Sequence, residues 1–373
     1  MEKIPLRAFL DFMRILVALS GGVDSAVAAS LLKEEGHDIV GVYFRSWQDE
    51  RSPFGPCPWQ EDRNSARAVA DALKVEFRVL NLIEKYREHV VHYLVEGYRS
   101  GQTPNPDIRC NRDIKFGILW HYARSEGFDG LATGHYARII QPKDGPPRLH
   151  EAKDPSKDQS YFLCMVRPEP LANTFFPLGN WLKSEVRKRA QHLGLPNADR
   201  KDSQGICFLG NSRTSIREFL AQYLPESPGE IVTPEGRVVG IHRGLHGYTI
   251  GQRKGLRVPS NSDFNHYVVV AKEEATHRLV VAFESKFTGA PLWNTRAQIS
   301  SLNFIGERPR SGETLWGKPR YRDPSQKITY REYGENKAEI QFDRPQRALA
   351  PGQFIALYRD TQLIGGGVYE HVF

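Results

Sequence analysis

The sequence predicts an α/β domain, a parallel sheet covered by helices, followed by a β-rich region. Three observations predict it: short β-rich runs alternate with amphipathic helical runs to about residue 210, a Gly-Gly turn follows the first apolar run directly, and strands and turns alone continue from about Pro291. A chain of 373 residues, 40% hydrophobic, can bury two or three domain cores. Residues 15–19, 39–44, 75–82 and 130–133 read as strands of the first domain. Between them, Ala28, Leu31 and Leu32 fall at helical spacing before Gly36, and Ala66, Val69, Ala70 and Leu73 form a second apolar face. A third helical run, residues 83–98, carries Tyr86, Val90, Tyr93 and Leu94 on one side.

After Leu209 the texture changes. Helical signal persists through "TSIREFLAQYL", and Pro225, Pro228, Gly229 and Pro234 then separate short β runs at 230–232, 267–271 and 279–282. The closing "GQFIALYRDTQLIGGGVYEHVF" reads as two β runs joined around Arg359 and Asp360 and a third relieved by glycine, as in a small barrel or sandwich. The expected domains are 1–212, 213–288 and 289–373.

Lys plus Arg number 51 against 44 Asp plus Glu, so the net charge of +7 favours a polyanionic partner without requiring one. Cys57, Cys110, Cys164 and Cys207 lie far apart and form no CxxC pair, which argues against a disulfide framework and a structural zinc site. They read as reduced thiols of a cytoplasmic protein. Asp11 and Arg14 interrupt "RAFLDFMRILVAL", so it does not read as a signal peptide, and no segment is long enough to cross a bilayer. His89 with His92, and His242 with His246, have spacings a metal could use, but no third ligand is evident and local packing is the plainer reading. No metal centre is expected from them.

The stretch "ILVALSGGVDSAVAASLL" is the most informative. A Gly-rich turn between a buried strand and a helix N-terminus aims backbone N–H groups at one point, which suits a phosphate. The pattern GxxxxGK[ST] is missing and so is GxGxxG, which removes support for kinase-like γ-phosphate chemistry and for dinucleotide binding. In "SGGVDS", two glycines permit the turn, Ser20 and Ser25 add donors, and Asp24 could orient a Mg²⁺ that neutralises bound oxygens. That chemistry suits a departing pyrophosphate. The motif resembles the loop of the ATP pyrophosphatases, adenylating enzymes that cleave ATP to AMP and pyrophosphate.

Adenylation activates an oxygen for displacement, and a nucleophile must follow. In "TPNPDIRCNRDIKFG" the prolines enforce an extended loop, Asp107 precedes Cys110 by three positions, and Arg109 and Arg112 flank the thiol with charge that favours thiolate. Asp107 could move a proton at a reacting base, although its own charge opposes thiolate formation. Cys207, in "RKDSQGICFLG", is either a second reactive thiol or a small buried hydrophobe. Cys57 and Cys164 read as non-catalytic.

The segments "SGGVDS", "PNPDIRCN" with "IKFG", "ATGHYAR", "KDQSYFL", "DSQGICFLG", "GYTIGQRKGL" and "PGQFIALY" occur in the order of the tRNA-specific 2-thiouridylases and cover nearly the whole chain, which resembles that family. The resemblance implies an N-terminal ATP pyrophosphatase domain of the adenine nucleotide alpha hydrolase type, a small α+β central domain and a C-terminal all-β barrel. It implies an activity: ATP adenylates the carbon-2 oxygen of a wobble uridine in tRNA, and persulfide sulfur from a donor protein replaces it, releasing AMP. Cys207 then corresponds to the persulfide-bearing residue, Cys110 to the nucleophilic partner thiol and Asp107 to the acid-base group, and the two thiols end the cycle as a disulfide. ATP is placed against Ala18, Leu19, Ser20, Gly21, Gly22, Val23, Asp24, Ser25, Phe44 and Gly134, and the target base against Asn105, Pro106 and Asp107. The anticodon arm of tRNA is placed against His135, Lys157, Asp158, Gln159, Arg320, Tyr321 and Gln353. An excess of basic residues between Trp181 and Arg217, and the aromatic-basic "KPRYR", agree with binding an unpaired RNA loop.

The chain departs from the family pattern after "GQRKGL", where "RVPSNSDFNHYVVV" places His266 before Tyr267. Two cysteines with Asp107 could also hold an iron-sulfur cluster instead of carrying a persulfide. Two other functions compete: an ATP pyrophosphatase-type amidotransferase or ligase acting on a small molecule, and an RNA-binding protein with a vestigial nucleotide site. Cys110 and Cys207 discriminate, since only the sulfur transferase needs both.

Overall fold

Ile15, Leu16 and Val17 are fully buried in β1 (Arg14–Ala18), as a strand covered on both faces requires. A computed structural model describes residues 12–47, 59–202, 215–259, 266–284 and 292–373. The chain divides into two compact units, one of residues 1–87, 111–160 and 166–212, the other of 88–110, 161–165 and 213–373.

In the first unit, β1 leads through α1 (Val23–Glu34) to β2 (Asp38–Arg45), and through α2 (Trp59–Leu73) to β3 (Glu76–Asn81). The chain later returns as β4 (Gly130–Ala132), a short antiparallel hairpin of β5 (Arg138–Ile140) and β6 (Arg148–His150), and β7 (Thr174–Phe175). The parallel sheet has the order β3-β2-β1-β4-β7. Chain progression therefore reverses between β1 and β4. In an open α/β sheet, the crevice beyond the carboxyl ends of two such strands is where ligands bind. The expected strands at 15–19, 39–44, 75–82 and 130–133 all form, with ends shifted by at most one residue.

The core gathers Ile15 and Val17 of β1, Val27 and Leu32 of α1 and Val69 of α2 with Val186 and Ala190 of the helix Lys183–His192. Each fully buried aliphatic chain contributes about 1.5–3 kcal/mol, whereas an exposed ion pair contributes about 0–1 kcal/mol. Apolar packing, not surface charge, thus sets where Lys183 emerges.

In the second unit, β8 (Gly229–Val232), β9 (Val238–His242), β10 (Tyr267–Glu273) and β11 (Arg278–Phe283) form a sheet of order β10-β11-β8-β9, in which β8 and β11 are parallel. Six strands follow: β12 (Trp293–Phe304), β13 (Thr314–Lys318), β14 (Gln326–Gly334), β15 (Lys337–Arg347), β16 (Phe354–Arg359) and β17 (Gln362–Val372). β12 pairs antiparallel with both β15 and β17, which closes a six-stranded barrel. Closure removes the open edges and decides for a barrel over a sandwich. Alternate residues Ala338, Ile340 and Phe342 fill its interior. At Gly365, φ is +146° and a Cβ would collide with the Asn303 carbonyl, so the glycine run lets β17 cross close to β12.

The helical run at 83–98 forms with Tyr86, Val90 and Leu94 buried, but not as one regular helix: a π-helical turn, Arg87–Val91, interrupts it. Among the described residues, no helix is long and apolar enough to cross a membrane.

Candidate active site

The turn after β1 is held from within. Ser20 N donates to Ser25 Oγ (3.1 Å), Ser25 Oγ donates to the Gly22 carbonyl (3.0 Å), and Gly22 N donates to Ser20 Oγ (3.3 Å). Gly21 has φ of +81°. Its carbonyl is drawn away from the turn by Ser65 Oγ (2.8 Å), Asn197 Nδ2 (2.9 Å) and Arg200 Nη1 (3.1 Å). Gly22 stands at the N-cap of α1 and offers no side-chain acceptor to the first turn, whose N–H groups therefore remain for an anion. Gly134, just beyond β4, approaches so closely that a Cβ there would lie 2.7 Å from Ser25 N. Leu19 and Val23 are core residues beneath the turn, and Ala18 at the end of β1 and Phe44 in β2 are half-buried.

Asp24 is the charged member of the turn, and it is engaged. Tyr136 Oη donates to Asp24 Oδ1 (2.8 Å), and Lys183 Nζ lies 2.7 and 2.8 Å from its two carboxylate oxygens. The same ammonium is 2.8 Å from Asp202 Oδ1, while Lys157 Nζ donates to Asp202 Oδ2 (3.0 Å) and Arg187 pairs with Asp202 as well. Burial raises the Asp202 carboxyl, but hydrogen bonds and charge from Lys183 and Lys157 outweigh it and hold its pKa at about 2. Burial, then the charge and hydrogen bond of Asp24, push the Tyr136 phenol well above its ordinary range, so it stays a donor. Asp154 accepts Lys183 N (2.9 Å) and fixes the start of the helix Lys183–His192.

The segment 157–159 is built into this arrangement. Gln159 Oε1 accepts Tyr136 N (3.0 Å), bracing the tyrosine that holds Asp24. Asp158 is 6% exposed and accepts Ala152 N and both Ser160 N and Oγ. His135 is 8% exposed, lies between Phe116 and Phe176, and has Nδ1 2.7 Å from Thr133 Oγ1. Burial, then the charge of Lys115, lowers its pKa well below the usual value, so the ring is neutral at pH 7. For His135 and Asp158, packing and turn formation are the visible roles.

In the second unit, Asn105 Oδ1 accepts Asp107 N (3.1 Å) and Ile108 N (3.2 Å), and Pro106 opens the short helix Pro106–Arg109. Thr103 N donates to the Pro351 carbonyl (2.8 Å), which ties the Pro-rich loop to the segment before β16. Cys110 is 2% exposed and begins a π-helix, Cys110–Leu119. The Arg109 guanidinium lies over the Tyr93 ring. Arg320 donates to Asp323 Oδ2 (2.7 Å) and to the Ala348 carbonyl, and Tyr321 packs against Phe162 with ring centroids 4.3 Å apart. Gln353 Oε1 is buried without a hydrogen-bond partner among the described residues. Cys164 is fully buried, and burial pushes its thiol pKa up, as suits an inert packing residue. Among the described residues, no group of three or more His, Cys, Asp or Glu is placed to hold a metal.

Comparison with known proteins adds independent findings. Residues 13–211 match a family described as tRNA methyl transferase HUP domain, residues 217–283 a tRNA methyl transferase PRC-barrel domain, and residues 294–369 an aminomethyltransferase beta-barrel domain. A tRNA-specific 2-thiouridylase MnmA of Akkermansia muciniphila is 47% identical over 96% of this chain and 99% of its own. The tRNA-specific 2-thiouridylase MnmA of Streptococcus sanguinis is 41% identical over 97% of this chain and 96% of its own. The chain belongs to the tRNA-specific 2-thiouridylase family. Among solved structures, a 4-thiouridine synthetase–RNA complex with bound ATP has a TM-score of 0.34 at 21% identity over 57% of this chain and 50% of that one, too slight a likeness to bear on function.

In this 2-thiouridylase chain, the first unit gathers Ser20–Ser25, Gly134, Lys157 and Gln159 around one turn, and the second holds Asn105, Pro106, Asp107 and Cys110 along one loop and helix. Cys207 and Cys57 lie outside the described residues. Lys183, Tyr136 and Asp202 were not singled out by sequence reasoning. Lys183 stands 159 positions from Asp24 in a helix that reads as an ordinary charged surface element, whereas Tyr136 and Asp202 at least fall inside the segments "ATGHYAR" and, one residue before "SQGICFLG", the Cys207 stretch.

Proposed function

We propose that this protein is an ATP-dependent tRNA 2-thiouridylase. It adenylates the carbon-2 oxygen of a wobble uridine in tRNA and replaces that oxygen with persulfide sulfur, releasing AMP and pyrophosphate. The observation that carries this reading is identity of 47% to a named 2-thiouridylase along nearly the full length of both chains. The internally braced turn, with its open first-turn N–H groups, supports it as the site that takes the phosphates.

The chemistry would run as follows. The turn after β1 receives the β- and γ-phosphates, and the uracil oxygen attacks the α-phosphorus, with pyrophosphate leaving. Asp24 fits Mg²⁺, a hard cation that takes one or two carboxylates together with phosphate oxygens, and bound there it would neutralise developing phosphate charge. Asp107 assists proton movement at the base. Cys110 thiolate attacks the inner sulfur of a Cys207 persulfide and expels hydrosulfide. Hydrosulfide adds at carbon 2 and AMP departs, leaving a Cys110–Cys207 disulfide that a dithiol reductant reopens. The domains 1–212, 213–288 and 289–373, a persulfide donor protein as partner, the RNA contacts at Arg320, Tyr321 and Gln353, and a cytoplasmic setting belong to the same reading.

Purified protein incubated with ATP, a persulfide donor and unmodified tRNA is expected to yield thiolated tRNA and an equal amount of AMP. Folded protein that makes AMP without incorporating sulfur would refute the reading. Cys110→Ser and Cys207→Ser are each expected to abolish thiolation while tRNA affinity stays within about twofold, because a single small side chain contributes little to a phosphate-dominated interface.

A further inference from the structure

The turn contains no lysine, yet a triphosphate brings about four negative charges that backbone N–H groups neutralise only in part. One ammonium in the first unit is already aimed at the turn. Lys183 Nζ, in a side chain 13% exposed, bridges Asp24 in the first turn of α1 and Asp202. We propose that Lys183 is the phosphate-binding cation of this site, held on Asp24 until a nucleotide enters and then transferred to its β- and γ-phosphate oxygens. The assignment rests on the ATP-dependent reading above and names a residue for it.

The distribution of counter-charges favours a transferable ammonium. Asp202 is paired with three cations, Lys157, Lys183 and Arg187, so losing one leaves it neutralised. Asp24 is paired with Lys183 and accepts from Tyr136 Oη. Moving the ammonium to phosphate therefore uncovers the Asp24 carboxylate alone. A free carboxylate in the first turn is a ligand for the divalent cation that travels with ATP, so each anion keeps a counter-ion after the exchange. The geometry permits the movement: Asp154 holds the Lys183 backbone, which leaves the four-carbon stem to swing.

The test is calorimetric, with an ATP analogue bearing a methylene between the α and β phosphorus atoms, and with AMP, in Mg²⁺ buffer. Lys183→Met is expected to weaken the analogue by about tenfold or more, the loss of a charged contact, while AMP affinity changes by less than about twofold. Lys183→Arg should keep most of the analogue affinity. Asp24→Asn, which removes the Asp24 charge from the ammonium and leaves it paired with Asp202, should bind the analogue in Mg²⁺-free buffer at least as well as wild type. Analogue affinity unchanged in Lys183→Met, or analogue and AMP weakened alike, would overturn the assignment in favour of a purely structural ion pair. Wild-type protein that takes neither nucleotide would instead overturn the ATP reading, and the assignment with it.

Discussion

His135 shows how far a residue's meaning depends on its surroundings. The family resemblance places the histidine of "ATGHYAR" against RNA, and in the fold its ring sits among Phe116 and Phe176 and is neutral. Its pKa is depressed below the ordinary 6.5, so the unfolded chain binds a proton that the folded chain refuses. The corresponding stability is present above pH 6.5 and is lost as pH falls below it. Thermal melts between pH 8 and 5 are expected to show this loss in wild type and a flatter profile in His135→Gln. An identical slope in both would assign the acid sensitivity to other groups. Asp202, held at about 2 by Lys183 and Lys157, contributes in the same direction but only in stronger acid, between the usual carboxylate range and its own pKa.

At the scale of elements, the segment around Cys110 departs most from expectation. The prolines lead to the expectation of an extended loop, and in the fold Pro106 instead opens a short helix that Asn105 caps. The ten-residue π-helix that follows carries no propensity signal. Its wider turns bring the Arg112 carbonyl to within 3.0 Å of where a Cβ would stand at Gly117, so the glycine of "IKFG" is the residue type that tolerates them. Asn105→Ala removes an acceptor shared by two N–H groups and is expected to cost about 1 kcal/mol in urea unfolding. Because Cys110 is 2% exposed at the end of that helix, its alkylation, followed by peptide mass spectrometry, should accelerate in the variant. Unchanged alkylation would mean that the cap does not control access to the thiol.

For the whole molecule, the net charge of +7 suits a polyanion, and tRNA affinity is expected to fall linearly in log–log form with added salt as counterions are released. A flat response in a filter-binding or fluorescence titration would contradict a phosphate footprint. Much of the architecture was legible in the chain: periodicity marked the strands of the first unit, and Gly-Gly after an apolar run marked the strand-turn-helix unit proposed to take the phosphates, because local sterics and alternation depend on near neighbours. Segment order even pointed to the family. Only the tertiary structure joined Lys183 to Asp24, buried His135 and Asp158, and turned the Gly21 carbonyl toward Asn197 and Arg200. Those outcomes rest on pairs separated by tens to hundreds of residues, whose meeting is decided by how apolar faces pack, a property of the folded chain that no local pattern encodes.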